Sequence, residues 1–343
     1  MDEEVPEIAA NRIISINDSI KNATNKFLHN GISTGKYSIF TFLPRFIFEQ
    51  FRKYANLFFL FIAIIQQIKD LSPTNRYGTV IPLTIVLFVS AAKEIAEDLK
   101  RHAQDKDVNN RLVLVLSGEV FIYKPWNSIV VGDMVRIENS QYFPADLILL
   151  SSSEPDGLCY IETSNLDGET NLKIRQAVPD TSNILTPLDI SKLTGVVKSE
   201  LPNRSLYTFE GTLRLRGKEI PLNPDQLLLR GAMLRNTRWV YAFVVFTGHE
   251  TKLLKNATGT PIKRTQLDAM VNQHIIYLFF ILVTMSVICS LGALYRQLVN
   301  EFEKNILMLD VSNAWVIFPQ NILTHIILFN NLIPMRYICL NAV

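Results

Sequence analysis

The chain has 343 residues, 48% of them apolar, and a formal net charge of +2. This balanced charge argues against a nucleic-acid binder. The mean hydropathy of +0.17 is high for a soluble protein and low for one that lies wholly in a membrane. The composition therefore favours a water-facing domain joined to membrane-spanning helices. Since residues 1–8 are acidic and do not resemble a secretory signal, we expect the N-terminus to stay in the cytosol.

Residues 1–53 are interpreted as a cytosolic N-terminal stalk. Two apolar runs follow at 55–68 and 80–92, each shorter than the ~20 residues that a bilayer requires. Only eleven residues separate them, and these include Pro73 and Gly78. The pattern predicts a transmembrane helical hairpin over 54–101.

Residues 102–272 are predicted to form a β-rich cytosolic domain, because runs of β-branched residues alternate there with turn signals. The predicted strands are 111–116, 119–123, 130–137, 147–151, 158–163, 227–229 and 240–246. Residues 211–218 resemble a phosphate-binding loop, but the spacing is one residue too long and Glu219 stands where Ser or Thr should hold magnesium. The five histidines are scattered, so no metal site is predicted.

The last part, residues 273–343, is predicted to hold a third span and an incomplete fourth. Residues 275–294 are twenty apolar residues without a charge, about the length that crosses a bilayer. Residues 315–334 are apolar but include His325, Asn330 and Asn331.

The cationic residues that flank these runs predict the orientation, since Lys and Arg favour the cytosolic side. They are Arg45, Arg52, Lys53, Lys93, Lys100, Arg101, Lys252, Lys255, Lys263 and Arg264. Four crossings follow, with loops 71–79 and 296–314 on the lumenal or outer side. The sequons at Asn17, Asn22, Asn203 and Asn256 all fall in predicted cytosol, so none should be glycosylated.

Residues 165–173, NLDGETNLK, are the segment most suggestive of chemistry. Asp167-Gly168 is a tight-turn signal because glycine accepts a positive φ without steric cost. Glu169 should then project from an exposed tip, with the Thr170 hydroxyl beside it. Considered alone, these residues favour a solvated hairpin turn.

The surrounding motifs change that interpretation. Residues 131–135 (VGDMV), 143–148 (FPADLI) and 165–173 together resemble the actuator domain of P-type ATPases. Asp-Gly-Glu-Thr is similar to the type-IV, phospholipid-flippase branch, whereas ion pumps usually carry Thr-Gly-Glu-Ser. Further resemblances to this branch lie at 32–37, 41–44, 227–231, 247–252 and 329–334.

The resemblance implies a mixed membrane protein, with four transmembrane helices in two hairpins and a β-rich actuator domain. Its implied activity is ATP-driven phospholipid translocation to the cytosolic leaflet. In the family, a phosphorylation domain takes the γ-phosphate of ATP on an aspartate, with Mg²⁺ as counter-charge. Glu169 maps onto the glutamate that orients the water hydrolysing this aspartyl phosphate. Gly168 permits close backbone approach, and Asp167 and Thr170 shape the loop.

Polar residues in the predicted spans are candidates for a lipid path. Gln66 and Gln67 lie in the first span, and Asn330 and Asn331 lie in the fourth, before Pro334. Amides in hydrocarbon need partners, so the residues alone allow either helix–helix hydrogen bonds or contact with a transported headgroup. The resemblance favours the headgroup path.

The sequence departs from the family after Pro334, where it continues Met335-Arg336 instead of Ile-Ser-Leu, and it contains no Asp-Lys-Thr-Gly-Thr motif. We therefore expect this chain alone to be inactive, with ATP and Mg²⁺ bound elsewhere in a full-length relative. The tail 335–343 is consistent with an alternative transcript or a gene-model error.

Three functions remain open at this point. The first is the flippase itself, acting on an aminophospholipid with a two-span β-subunit in a Golgi, endosomal or plasma membrane. The second is a truncated regulator that binds the β-subunit or a full-length flippase. A cation pump is the third, and Asp-Gly-Glu-Thr together with Gln66-Gln67 disfavours it.

Overall fold

A computed structural model describes residues 12–25, 27–69, 71–257, 266–299 and 314–332. The chain divides into two compact units. The β-rich unit comprises residues 1–34 and 102–261, and the helical unit comprises residues 35–101 and 262–343. Each unit is described by itself.

The described residues form ten α-helices and thirteen strands, besides short 3₁₀ turns. The helices are α1 Ser19–Thr24, α2 Phe42–Phe51, α3 Tyr54–Ile65, α4 Val80–Asn109, α5 Ser164–Asp167, α6 Pro179–Ser182, α7 Pro187–Ser191, α8 Lys252–Ala257, α9 Gln266–Val299 and α10 Ala314–Leu328. The strands are β1 Arg12–Ser15, β2 Leu112–Ser117, β3 Val120–Pro125, β4 Met134–Glu138, β5 Asp146–Ser152, β6 Leu158–Glu162, β7 Lys173–Gln176, β8 Gly195–Ser199, β9 Gly211–Leu215, β10 Lys218–Leu222, β11 Leu227–Leu228, β12 Met233–Arg235 and β13 Trp239–Phe246.

The β-rich unit is built around a six-stranded antiparallel sheet in the order β11-β5-β13-β4-β2-β3. Every residue of β5 is buried. Alternate residues point to opposite faces of a strand, so Ile148 and Leu150 enter one hydrophobic cluster and Leu147 and Leu149 enter another. The central strands therefore lie between two cores, which explains why they are almost continuously apolar.

Two smaller sheets complete this unit, β1-β8-β9-β10 and β12-β6-β7. The predicted β-rich domain is confirmed, and strands occupy all seven predicted regions. The strand predicted at 130–137 begins later, at Met134, because residues before it form a turn in which the Asp133 N–H donates to the Val130 carbonyl at 3.2 Å. The phosphate-loop look-alike is the β9–β10 hairpin, which turns through Arg216 and Gly217 at positive φ.

The helical unit packs α3, α9, α10 and the first part of α4 around an apolar cluster that includes Phe59, Ile62, Leu83, Ile275 and Leu282. Helix α4 is longer than the predicted run at 80–92, since it continues without a break to Asn109. Helix α3 ends at Ile65, three residues before the predicted end of the first run.

The predicted set of four transmembrane helices is not confirmed. Within the described ranges, one helical stretch, Ala269–Val299, is long and apolar enough to cross a membrane, and only 22% of its most apolar window is buried. The apolar helices Tyr54–Ile65 and Ile317–Leu328 are shorter. At 1.5 Å per residue α3 extends only ~18 Å, less than the ~30 Å hydrocarbon core.

Candidate functional site: the 163–173 loop

The loop between β6 and β7 begins with a single helical turn, α5, followed by Gly168. Gly168 has φ +78°, and its N–H donates to the Ser164 carbonyl at 3.1 Å. This is a left-handed C-cap, the position at which glycine is favoured. The prediction of a positive φ at Gly168 is therefore confirmed. Asp167-Gly168 does not close a tight two-residue turn, because the paired strands β6 and β7 are joined by this longer loop, with Ile161 opposite Lys173.

Leu166 attaches the loop to the body of the unit. Its side chain is partly buried and packs against both hydrophobic clusters. The residues after it, 168–172, are all exposed. The loop thus has a fixed base and a projecting tip, because only its base has apolar contacts to bury.

Asp167 organises the loop through its carboxylate, which accepts hydrogen bonds from three residues. Thr163 Oγ1 donates to both oxygens at 2.9 and 3.0 Å, the Glu169 N–H donates at 3.0 Å, and Lys173 Nζ donates at 2.6 Å. Partial burial opposes ionisation, but the bonds from Lys173, Glu169 and Thr163 outweigh it and lower the pKa of Asp167. Asp167 is therefore ionised at neutral pH.

Glu169 is the exposed carboxylate of the loop. Its side chain is 58% exposed, against 12% for Asp167, and Oε2 lies 2.9 Å from Lys173 Nζ. The hydrogen bond to Asp167 and then that to Glu169 raise the pKa of Lys173. Lys173 Nζ also lies 5.8 Å from the centre of the Tyr207 ring. One lysine therefore links both acidic side chains of the motif and holds Glu169 at the rim.

The space around the tip is open. A Cβ added at Gly168 would meet no atom within 4 Å. Thr170 lies on the same exposed stretch. An exposed carboxylate beside an unobstructed backbone turn can accept a proton from water that is bound by a second surface.

The described residues offer no site for the metal of the predicted chemistry. Among them, no three His, Cys, Asp or Glu side chains come together as possible metal ligands. Asp167 and Glu169 both contact Lys173 Nζ, whose positive charge competes with a metal cation at these carboxylates.

The residues predicted to line a lipid path lie in the helical unit. Gln66 caps the C-terminal end of α3 and is buried. Its Nε2 donates to Thr74 Oγ1 at 3.4 Å, and its Oε1 has no hydrogen-bond partner within the described ranges. Gln67 is exposed and donates to the carbonyls of Ala63 and Arg76 at 3.3 and 3.0 Å.

The other predicted path residues are described in part. Asn330 is buried in the short helical turn Phe329–Leu332. Asn331 belongs to the same turn, but its side chain lies outside the described part. Pro334, Met335 and Arg336 also lie outside the described residues.

A buried polar cluster in the β-rich unit was missed by sequence reasoning. Fully buried Asp146 accepts the backbone N–H groups of Arg230 and Lys252 at 2.8 and 2.7 Å. Arg230 Nη1 donates to Asn30 Oδ1 at 2.7 Å, and Lys252 Nζ donates to Glu200 Oε1 at 2.9 Å. Burial raises the pKa of Asp146 to about 6, although both backbone bonds and both cations act to lower it.

A signal for this cluster was present. Asp146 interrupts an otherwise apolar run, and a charge at such a position is seldom buried without a partner. Its partners could not be assigned, because they lie 84 and 106 residues further along the chain. The cluster holds the 227–231 and 247–252 motifs against β5, so it supports the fold that carries the loop.

Comparison with known proteins gives the class to which this arrangement belongs. Residues 14–80 match the family model of the phospholipid-translocating ATPase N-terminal region. A phospholipid-transporting ATPase of Schizosaccharomyces pombe is 54% identical over 332 residues, 96% of this chain and 26% of the relative. Phospholipid-transporting ATPase DRS2 of Saccharomyces cerevisiae is 49% identical, over 94% of this chain and 24% of the relative. Phospholipid-transporting ATPase ID of Homo sapiens is 41% identical, over 93% and 27%.

The chain belongs to the type-IV P-type ATPases, and the predicted family is confirmed. It spans about a quarter of the length of the curated relatives that it matches.

Proposed function

We propose that this chain is the actuator and first membrane-embedded part of an ATP-driven phospholipid flippase, and that Glu169 orients the water that hydrolyses its aspartyl phosphate. The observation that carries this proposal is the presentation of Glu169 at an exposed rim, next to the open left-handed turn at Gly168. ATP and Mg²⁺ are bound in other regions of a full-length relative.

The chemistry requires a water to attack the phosphorus of a phosphorylated aspartate supplied by another domain. Glu169 accepts a proton from this water, the new P–O bond forms, and the bond from phosphorus to the aspartate oxygen breaks, releasing inorganic phosphate and the free carboxylate. In this structure, Lys173 Nζ lies 2.9 Å from Glu169 Oε2. Loop docking must release that contact or leave the second oxygen of Glu169 to face the water. Asp167 retains its other donors and keeps the turn in shape.

The domain bounds, the lipid path, the substrate and the partner are also proposals. The stalk is 1–53, the first hairpin 54–101, the actuator 102–272 and the last membrane part 273–343, with four crossings and a cytosolic N-terminus. Gln66, Gln67, Asn330, Asn331 and Pro334 border the path of a phospholipid, which we propose to be an aminophospholipid. A two-span β-subunit is the proposed partner, in a Golgi, endosomal or plasma membrane.

A chimaera tests the role of Glu169. Residues 12–334 would replace the matching part of the Saccharomyces cerevisiae relative, and phosphoenzyme decay would be followed after labelling with radioactive ATP. We expect Glu169→Gln to form phosphoenzyme normally but to slow its decay by about 10²–10⁴-fold, the usual contribution of a general base. The matched control is Glu119→Gln, an exposed glutamate at the β2–β3 turn. Equal decay rates in the two variants would refute the proposal.

A further inference from the structure

Helix α2 presents an apolar face that no described residue of the helical unit covers. Ile39 and Phe40, just before the helix, are 93% and 92% exposed, and Leu43, Ile47 and Phe48 continue the exposed surface. At 100° per residue the three side chains within the helix, Leu43, Ile47 and Phe48, fall within one sector of about 140°. So continuous an apolar surface marks a site of interaction rather than scattered surface residues.

A second sector of α2, beside the apolar one, is buried and fixed in place. Phe46 and Gln50 are buried, and Asn56 Nδ2 donates to the Gln50 carbonyl at 2.9 Å, which closes the corner between α2 and α3. Phe42 stacks on Phe46, with ring centres 5.4 Å apart. Since the buried sector holds the helix, the apolar sector cannot be hidden by rotation of α2 within this unit.

A polar network also holds the start of α2. Lys36 Nζ lies 2.6 Å from Glu49 and 3.6 Å from Glu94 of helix α4, and the Tyr37 hydroxyl donates to Glu49 at 3.0 Å. Arg45 Nε lies 3.6 Å from the same glutamate. Although burial acts in the opposite direction, the bond from Lys36 and the other donors lower the pKa of Glu49. The single acidic residue of α2 is thus neutralised within the protein.

What remains along α2 is an apolar face bordered by positive charge. Arg45 and Arg52 are exposed on the sector next to it, and Lys53 follows at the corner. A helix with an apolar face and a cationic border is typical of segments that lie in the plane of a bilayer surface containing anionic lipid.

Helix α3, which follows α2, indicates that lipid covers the apolar face of α2. Tyr54 opens the apolar helix α3, and aromatic residues favour the membrane–water interface. An apolar groove of about 340 Å³ adjoins it, lined by Tyr54, Leu57, Phe58, Phe61, Ile276 and Phe279. The α2 face is therefore continuous along the chain with a surface suited to acyl chains.

We propose that residues 39–51 form an interfacial anchor, with the apolar face of α2 among the upper acyl chains and its cationic border on the headgroups of anionic phospholipid. The anchor would fix the level at which α3 enters the bilayer. It is a different activity from the one proposed for Glu169 and requires only that the helical unit lies in a membrane.

Depth-dependent quenching of a fluorescent label tests the anchor in the full chain. The three native cysteines would be replaced, and a nitrobenzoxadiazole label attached at Phe40→Cys or Phe48→Cys. The control is Arg52→Cys, at the C-terminal cap of α2 in the cationic border, which the proposal places at the headgroups. Each protein would be placed in nanodiscs of phosphatidylcholine, with or without about 30% phosphatidylserine.

We expect doxyl groups at acyl carbon 5 to quench labels at 40 and 48 at least about twofold more than at 52, and aqueous iodide to show the reverse order. Phosphatidylserine should increase the acyl quenching, and 0.5 M salt should reduce that increase because it screens the cationic border.

Two results would overturn the proposal. Iodide access at 40 and 48 equal to that at 52 would place the face in water. Protection from both quenchers, with photocrosslinking of position 48 to a protein, would assign the face to a second copy or another subunit. In either case Glu169→Gln should still slow phosphoenzyme decay in the chimaera. Failure of the anchor and failure of the proposed enzyme are therefore distinguishable.

Discussion

The two units of the chain differ in which side chains they bury and which they expose. In the β-rich unit, charged groups such as Asp146, Arg230 and Lys252 are buried and hydrogen-bonded. In the helical unit, large apolar side chains such as Phe88 and Phe280 are 74% and 63% exposed. The first pattern satisfies polar groups in an interior that excludes water, and the second is the pattern expected of a surface that contacts lipid or another protein.

The largest effect expected in this comparison comes from Asp146→Ala. The change leaves two buried N–H groups and nearby cations without their acceptor, so we expect a loss of about 3–5 kcal/mol in the unfolding free energy of the β-rich unit. Denaturant unfolding, followed by the fluorescence of its tryptophans, measures this loss. Exposed Asp225→Ala is the control and should change stability by less than about 0.5 kcal/mol. A loss as small as the control's would show that the cluster does not stabilise the unit.

The pH dependence of the same unit should carry the signature of Asp146. Its folded pKa of about 6 lies above the ordinary value of 3.8, so between these pH values the folded state keeps a proton that the unfolded state has lost. Stability should therefore fall as pH rises from about 4 to about 6, by up to about 3 kcal/mol, and then level off.

Asp146→Asn should remove this part of the slope, because the amide cannot ionise. Unfolding free energies of both proteins, measured at intervals of half a pH unit, give the difference directly. A slope of opposite sign in the difference would mean that the backbone bonds and cations outweigh burial, and that the pKa of Asp146 is low.

Gly168→Ala should lower stability less than Asp146→Ala does, but it should slow phosphoenzyme decay. Its backbone is left-handed and its Cβ direction is open, so only backbone strain of about 1–2 kcal/mol is expected. Gly118 has φ +65° and equally open surroundings, which makes Gly118→Ala a matched control. We expect similar losses of stability but slower phosphoenzyme decay in the chimaera only for Gly168→Ala. Identical decay would argue against close docking of this turn.

Gln66→Leu should have the smallest effect on stability and distinguishes the two interpretations of the buried amides. The described contacts of Gln66 are weak, with one bond of 3.4 Å and an Oε1 without a partner. Replacement by leucine should therefore change the thermal stability of the helical unit by less than about 1 kcal/mol. Lipid transport by the chimaera should nevertheless fall. Loss of stability with unchanged transport would identify a helix–helix contact instead.

The sequence predicted the β-rich domain because its central strands are buried on both faces and are therefore almost uninterrupted apolar runs. It did not predict β9 and β10, although Leu213, Leu215, Ile220 and Leu222 stand at alternate positions on either side of a turn at Arg216-Gly217. The burial of these two strands follows the same period of two, with the alternate residues of each strand facing the core.

Hydrogen-bond partners that are distant along the chain could not be predicted from local sequence patterns. Nothing near Asp146 in the sequence indicates which distant N–H groups it accepts. The loop shows the same limit: Asp167-Gly168 correctly predicted a left-handed residue, but whether it closes a hairpin or caps a helical turn depends on the packing of Leu166. Glu169 was predicted to be exposed and is, whereas its contact with Lys173 was not foreseen.

The pairing of β1 with β8 limits when the four-stranded sheet can form during synthesis of the chain. Ile14 pairs with Val197, so β1 meets its partner strand only after 183 further residues have been synthesised. At 5–20 residues per second this interval is roughly 10–40 s. During that time the apolar helices α3 and α4 emerge, while the edge of β1 stays unpaired and open to wrong partners. The four-stranded sheet can close only near the end of the synthesis of the β-rich unit, so chaperones that cover nascent strands should contact this segment first.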